Sequence, residues 1–301
     1  MRFSTAIWLC VAASLATPLS SRAQPSVAGI GKASVNGHAM RYRAAGLDMR
    51  QTGQPVVVLE AGAVDPGKSH LDEWSPVFDR IAAITPVIAY ERRGNGMSED
   101  DTEPPTMRRV AHVLHELLAE IHVAPPYVLV GHSWGGNYIR AFTDEYPMEV
   151  AGLVFVDAET GAGPTREEKA AALPPERRAE ALKPPVMPPL PPNLRPGHRA
   201  EFEEIAKEMI TDGAEERTFK PVAAIPIAIV VATPPSRLRG DSGPIVRLMI
   251  QKDLEMVLPA PGGILVTADH VGHMVQKDDP ALVVTLIKHV LDHASRKEEA
   301  R

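Results

Sequence analysis

Hydrophobic residues along the chain follow two alternating patterns. Short apolar runs rich in β-branched residues alternate with longer segments in which apolar positions recur every three or four residues. The short runs predict buried strands at 56–59, 87–90, 127–130, 153–156, 227–231 and 264–266. Helical periodicity predicts an amphipathic helix over 106–122 and a terminal helix over 280–291. We therefore expect an α/β fold with a mostly parallel central sheet flanked by helices.

Residues 161–221 interrupt this alternation. The segment has no strand-like run, contains four Pro-Pro pairs and is rich in Glu, Arg and Ala. Two helices, over 166–182 and 198–211, are predicted on either side of a proline-stiffened connector. We interpret the segment as a helical, proline-rich lid inserted into a core of residues 24–160 and 222–301, with a disordered linker as the alternative.

The first 23 residues have the features of an export signal. Arg2 gives a positive start, an apolar stretch follows, and Ser21 and Ala23 are small residues at the positions that direct cleavage after Ala23. A membrane anchor is the alternative, but the apolar run is shorter than the ~20 residues that span a bilayer. We expect a periplasmic or extracellular protein without a stable membrane anchor after cleavage.

Charge and cysteine content exclude several kinds of chemistry. Removing residues 1–23 takes away two arginines and no acidic residue, so the formal net charge falls from -6 to -8. Nucleic acid is therefore not an expected partner. The single cysteine, Cys10, lies in the signal, which leaves the mature chain without disulfides, zinc thiolates or a cysteine nucleophile.

A candidate nucleophile follows the third predicted strand. The sequence Gly131-His132-Ser133-Trp134-Gly135 matches G-x-S-x-G between a strand and a helical stretch. A serine on such a tight turn needs small neighbours, and Gly131 and Gly135 provide them. The helix N-terminus behind Ser133 favours the negative charge that develops during acyl transfer.

A serine nucleophile needs a base and an acid that orients the base. His273 follows the last predicted strand, and Gly272 before it gives the loop freedom to turn; His270 is its rival. Two acids are candidates. Asp157 ends the fourth predicted strand, at the carboxyl edge where catalytic groups collect, and Asp241 lies further from its strand.

The oxyanion of a tetrahedral intermediate needs two donors that are already in position. The backbone amides of Trp134, directly after the nucleophile, and Ala63, in the loop after the first predicted strand, are the candidates. No cofactor or metal is required for this chemistry.

With these pieces assembled, the chain from about residue 33 to residue 293 resembles the α/β-hydrolase family. The order of Ser133, then Asp157 or Asp241, then His273 is the order of that family, and residues 90–98 are similar to its D-x-R-G-x-G-x-S turn. Two features depart from the family pattern. No acid stands directly after the strand at 227–231, which favours Asp157, and Glu60-Ala61-Gly62 replaces the common His-Gly.

The resemblance implies a serine hydrolase that cleaves carboxylic esters of small molecules through an acyl-enzyme. A proline-type amino-terminal peptidase is an alternative, and would need an acidic patch such as Glu201, Glu203 and Glu204. A non-catalytic small-molecule binding protein of the same fold is the other. Five apolar residues of the insertion, which either line an acyl pocket or pack the lid, are Met187, Phe202, Ile205, Met209 and Ile210.

Overall fold

The computed structural model describes residues 29–299 except residues 102, 162 and 223. The predicted signal, residues 1–23, lies outside the described residues. Eight strands form one sheet in the order β1-β2-β4-β3-β5-β6-β7-β8. The strands are β1 (Gly29–Val35), β2 (His38–Ala45), β3 (Val56–Glu60), β4 (Val87–Tyr90), β5 (Tyr127–His132), β6 (Val150–Val156), β7 (Ile227–Ala232) and β8 (Ile264–Ala268).

The sheet is mostly parallel, as the sequence predicts. All neighbouring strands from β4 to β8 pair in parallel, and only β1 with β2 and β2 with β4 pair antiparallel. Six strands coincide with the predicted runs, whereas β1 and β2 were not predicted because Gly, Lys and Arg interrupt their apolar residues. The Asn36-Gly37 turn between them, with both φ angles positive, is a hairpin signal that would have identified the pair.

Two hydrophobic cores lie on opposite faces of the sheet. Alternate residues of β3 supply both, since Val56 and Val58 belong to one core and Val57 and Leu59 to the other. On the first face the core includes residues of α2 and α3, and on the second face residues of α1 and α9. Burial on both faces explains why the central strands are continuous apolar runs.

Nine α-helices are formed within the described residues. They are α1 (His70–Ala82), α2 (Met107–Glu120), α3 (Gly135–Glu145), α4 (Arg166–Ala171), α5 (Pro175–Ala181), α6 (Pro196–Ile210), α7 (Ser242–Val257), α8 (Val275–Asp278) and α9 (Pro280–Glu299). Helices α2, α3 and α9 were predicted, and α1, α7 and α8 are additions. None of the helices in the described part of the chain combines the length and hydropathy needed to cross a bilayer.

The insertion between β6 and β7 is helical, with α4, α5 and α6 and no strand among its described residues. The single helix predicted over 166–182 is wrong in detail, because it divides into α4 and α5. Pro174 has the extended backbone of a helix-capping position and Pro175 is the first residue of α5, where the missing proline N–H costs no hydrogen bond. Helix α6 lies close to its predicted position.

Candidate active site

The candidate nucleophile stands on a strained turn. Ser133 joins β5 to α3 with φ 51°, a value that side-chain-bearing residues rarely adopt. The turn is also crowded, because a Cβ on Gly135 would lie 2.6 Å from the carbonyl oxygens of Glu60 and Ala61. A Cβ on Gly131 would lie 2.8 Å from the Gly135 carbonyl oxygen. Both glycines are therefore needed for the strand, turn and helix to pack this closely.

Three residues far apart in sequence form a hydrogen-bonded chain at the carboxyl edge of the sheet. Ser133 Oγ lies 2.9 Å from His273 Nε2, and His273 Nδ1 lies 2.7 Å from Asp157 Oδ2. An ionised carboxylate only accepts hydrogen bonds, so Nδ1 carries the proton and Nε2 accepts from the serine. This tautomer leaves Nε2 free to take the hydroxyl proton.

Asp157 is buried and held ionised. Burial alone would raise the pKa of its carboxyl, but the hydrogen bond from His273 and the charge of Arg237 together lower the pKa below its ordinary value. Arg237 Nη1 donates to both carboxylate oxygens at 2.6 and 2.8 Å, and the Ala232 amide donates to Oδ1 at 2.9 Å. The Asp157 charge is thus fixed on the side of His273 that faces away from the serine.

The competing candidates lie elsewhere. Asp241 precedes α7 and pairs with Arg177 of the insertion at 2.7 Å, with its side chain partly exposed. His270 lies on the surface and contacts Asp279 at 3.1 Å, a contact that raises the pKa of the imidazole. Neither residue has a hydrogen bond to Ser133 or His273 within the described residues.

The loop after β3 packs against the candidate nucleophile. A Cβ on Gly62 would lie 2.9 Å from Ser133 Cβ, so the loop backbone passes directly over the serine. The Gly62 amide donates to Glu73 Oε1 at 3.1 Å. The next amide, that of Ala63, and the amide of Trp134 have no acceptor in the described part of the chain. Both predicted oxyanion donors therefore lack an acceptor among the described residues. Trp134 directly follows Ser133, and Ala63 follows the glycine that packs against it.

Two buried residues that sequence reasoning missed connect this loop to the histidine. Glu73 of α1 accepts from the Gly62 amide and also lies 2.8 Å from His132 Nδ1. His132 Nε2 donates to the backbone carbonyl of His273 at 2.9 Å. Glu73 and His132 thus link the loop that bears one candidate oxyanion donor to the loop that bears the candidate base. Arg237 was also missed, and no local sequence signal identifies any of these three partners.

A cavity of about 370 Å³ adjoins the nucleophile turn, between the core and the insertion. It is lined mainly by polar residues of both signs, including Glu159, Lys169, Glu216 and Arg217, together with Trp134 and Met209. The Glu159 amide donates to the Ser133 carbonyl at 3.0 Å, which places this lining beside the serine. Burial raises the pKa of Glu159, and burial with the Glu159 charge raises that of Glu216 to about 7.

The fold and the site together define a hydrolase built on a mostly parallel α/β sheet. Residues 57–286, most of the chain, match the model of a family described as "Alpha/beta hydrolase family". The chain belongs to the α/β-hydrolase family.

Solved structures of several hydrolases share the fold. A putative lipase from Acinetobacter baumannii superposes with a TM-score of 0.65 at 16% identity, covering 90% of this chain and 93% of that chain. A thermophilic esterase from Thermogutta terrifontis gives a TM-score of 0.60 at 18% identity, covering 89% and 99%. The epoxide hydrolase CorEH gives 0.59 at 20% identity, covering 87% and 98%. At these identities the likeness establishes the fold alone.

Curated relatives match over shorter segments. An AB hydrolase superfamily protein of Gibberella zeae is 31% identical over 110 residues, which is 35% of this chain and 33% of the relative. A putative carbamate hydrolase of Caulobacter vibrioides is 29% identical over 106 residues, which is 35% and 38% of the two chains. The matched segment therefore spans well under half the length of each of these relatives.

Proposed function

We propose that this protein is a serine esterase that hydrolyses carboxylic esters through an acyl-enzyme. The observation that carries the proposal is the hydrogen-bonded chain from Ser133 through His273 to Asp157. Ser133 is partly exposed and the His273 side chain is 55% exposed, so a substrate reaches the hydroxyl without displacing a core residue. The geometry meets the requirement that nucleophile and base lie within hydrogen-bonding distance before substrate binds.

In the first half-reaction, Ser133 Oγ attacks the ester carbonyl carbon while His273 Nε2 takes the hydroxyl proton. The carbonyl oxygen becomes negatively charged and accepts hydrogen bonds from the Ala63 and Trp134 amides. The charge of Asp157 stabilises the imidazolium. When the tetrahedral intermediate collapses, the bond to the alcohol oxygen breaks and His273 transfers its proton to that oxygen, which leaves an acyl ester on Ser133.

The second half-reaction repeats these steps with water as the nucleophile. His273 takes a proton from a water molecule that attacks the acyl carbon, and the same two amides bind the second oxyanion. Collapse breaks the bond to Ser133 Oγ, and His273 returns the proton to the serine. The products are a carboxylic acid and an alcohol, and the enzyme regains its initial protonation state.

The identity of the nucleophile favours ester hydrolysis over epoxide opening. Some structural neighbours are described as epoxide hydrolases, and that branch of the family uses a carboxylate nucleophile where this chain has Ser133. A serine forms an acyl ester with a carbonyl substrate, and such an ester is readily hydrolysed.

The alternatives from the sequence have less support. The peptidase needs acidic side chains that are free to bind a substrate ammonium group. Of the three candidates, Glu201 is buried against Arg92 and Glu204 pairs with Lys207 at 2.9 Å, which leaves the exposed Glu203. The binding-protein alternative does not account for a serine on a strained turn in contact with a histidine. The binding-protein alternative also leaves the two amides beside the serine without a role.

The cavity beside Trp134 indicates the size and polarity of the substrate. Its charged lining disfavours long alkyl chains, because burying apolar groups against charged side chains forfeits the solvation of those charges. Of the apolar residues considered for an acyl pocket, Met209 lines this cavity and Ile205 is buried. We therefore expect short or polar acyl groups to be preferred.

The decisive test is hydrolysis of a p-nitrophenyl ester series from acetate to laurate, together with labelling by a fluorophosphonate. We expect wild-type protein to be labelled and to prefer acetate or butyrate. Ser133→Ala should abolish labelling and hydrolysis, and His273→Ala should reduce hydrolysis by about 10³-fold or more. Folded wild-type protein that is neither labelled nor active on any ester would refute the proposal and favour the binding protein.

We also propose that the protein is exported. The charged, apolar and small-residue segments of residues 1–23 support cleavage after Ala23. Expression of the full chain in a Gram-negative host, followed by fractionation and amino-terminal sequencing, tests this: a periplasmic product that begins at Gln24 is expected, and an uncleaved cytoplasmic product would contradict it.

A further inference from the structure

A buried arginine lies beneath the loop that carries the Ala63 amide. Arg92, which follows β4, is 3% exposed, and each of its five N–H groups has an acceptor. Nη1 donates to Glu60 Oε1 and to the Ala61 carbonyl at 2.6 Å, and Nη2 donates to the Gly62 carbonyl at 2.6 Å. The guanidinium therefore fixes two successive carbonyl groups of the loop.

The second of these carbonyls belongs to the peptide unit that bears the Ala63 N–H. A trans peptide is planar, so its C=O and N–H point in opposite directions. Holding the Gly62 oxygen toward Arg92 turns the Ala63 N–H away from the buried arginine, which is the orientation an oxyanion donor requires. The preceding peptide is held at both ends, since the Ala61 oxygen accepts from Arg92 and the Gly62 amide donates to Glu73.

The remaining bonds of Arg92 go to the insertion. Nε and Nη2 donate to Glu201 Oε1 of α6 at 3.0 and 2.6 Å, and the other Glu201 oxygen accepts from Asn95. Glu201 is 3% exposed and makes no contact with the cavity beside Trp134. The negative charge of Glu201 is therefore paired with Arg92, which lies 109 positions earlier in the chain.

We propose that Arg92 and Glu201 are positioning residues that connect the insertion to the oxyanion hole. Arg92 orients the Gly62–Ala63 peptide, and Glu201 holds the Arg92 guanidinium in the orientation that reaches both carbonyls. This inference rests on the proposed esterase function. Arg92 stands at the first unspecified position of the D-x-R-G-x-G-x-S-like turn, between Glu91 and Arg93.

Glu201→Gln is the sharpest perturbation because it preserves the shape of the side chain. Both Glu201 oxygens receive donors, so one half of a glutamine amide would direct its own N–H groups at Arg92 or Asn95. Arg92 would keep Glu60 as its only carboxylate partner and would turn toward it. The hydrogen bond from Arg92 to the Gly62 carbonyl would then be weakened. The Ala63 amide would consequently point less accurately at the oxyanion.

The experiment compares wild-type protein with Glu201→Gln, Arg92→Lys and the control Glu204→Gln. Glu204 lies on the same helix, and its ion pair with Lys207 is at the surface side of α6. For each protein, kcat and KM are measured with p-nitrophenyl butyrate. The Ki of a trifluoromethyl ketone, which forms an oxyanion adduct with the serine, is measured in parallel. Thermal unfolding midpoints establish that every variant is folded at the assay temperature.

We expect Glu201→Gln to lower kcat by about 10-fold or more with KM nearly unchanged, and to raise the ketone Ki by a similar factor. Arg92→Lys should have a larger effect, because the three donors of an ammonium are centred on one atom and cannot replace the five N–H groups of the planar guanidinium. Glu204→Gln should behave as wild type. A folded Glu201→Gln protein with wild-type kcat and Ki would overturn this inference and leave the esterase function intact. Wild-type protein that is inactive toward every ester would instead overturn the function itself.

Discussion

The buried carboxyl of Asp253 offers a quantitative test of the electrostatics beside the active site. Asp253 lies on α7, is 7% exposed, and accepts a hydrogen bond from Thr160 at 2.9 Å. Burial is the main cause that raises its pKa from 3.8 to about 7, and the nearby charges of Glu159 and Asp157 add to the shift. At pH 5 the folded protein therefore carries a neutral Asp253, whereas the unfolded chain carries a carboxylate.

The sign of the pH dependence follows from proton binding. Between pH 4 and pH 7 the folded state binds one more proton at this site than the unfolded state, so stability decreases as the pH rises through that interval. Each pKa unit corresponds to about 1.4 kcal/mol, and the stability lost at this site between pH 5 and pH 8 is about 2–3 kcal/mol. Asp253→Asn removes the titrating group while keeping an oxygen that accepts from Thr160.

The assay is urea unfolding of wild-type protein, Asp253→Asn and the control Asp292→Asn at pH 5 and pH 8. We expect Asp253→Asn to gain about 2–3 kcal/mol relative to wild type on going from pH 5 to pH 8. The control replaces an exposed carboxylate of α9 and should track wild type. An equal difference between Asp253→Asn and wild type at both pH values would refute the reasoning, because it would mean that Asp253 is ionised in the folded protein throughout.

Three further outcomes follow from the site. Asp157→Asn should lower kcat by about 10³–10⁴-fold in ester hydrolysis, whereas Asp241→Asn should remain within about twofold of wild type. The reverse ranking would identify Asp241 as the acid. Gly62→Ala should lower kcat/KM at least about 10-fold without unfolding the protein, since the new Cβ would lie 2.9 Å from Ser133 Cβ, and a fully active variant would show that the loop is not held against the serine. Arg237→Met should move the acid limb of the kcat/KM profile to higher pH, because Arg237 lowers the pKa of Asp157 and without it that carboxyl would be protonated at higher pH. An unmoved acid limb would exclude an electrostatic role for this pair.

Local sequence determined much of this protein. The central strands are recognisable because burial on both faces demands continuous apolar runs. The candidate nucleophile is recognisable because a strained turn between strand and helix demands glycines beside Ser133. The order of strands and motifs placed His273 and the candidate acids at one edge of the sheet. These features depend on residues that are neighbours in the chain.

Tertiary structure decided which distant groups meet. Sequence left Asp157 and Asp241 as alternatives. In the folded chain the order β6-β7-β8 brings Asp157, after β6, against His273, after β8, whereas Asp241 pairs with Arg177 of α5. In the sequence, Glu201 resembles part of an exposed acidic patch. In the folded protein, α6 packs against the turn after β4, and Glu201 is buried in contact with Arg92. A side chain's charge is readable from sequence, but its partner depends on which surfaces the folded chain brings together, and desolvation makes that partner decisive.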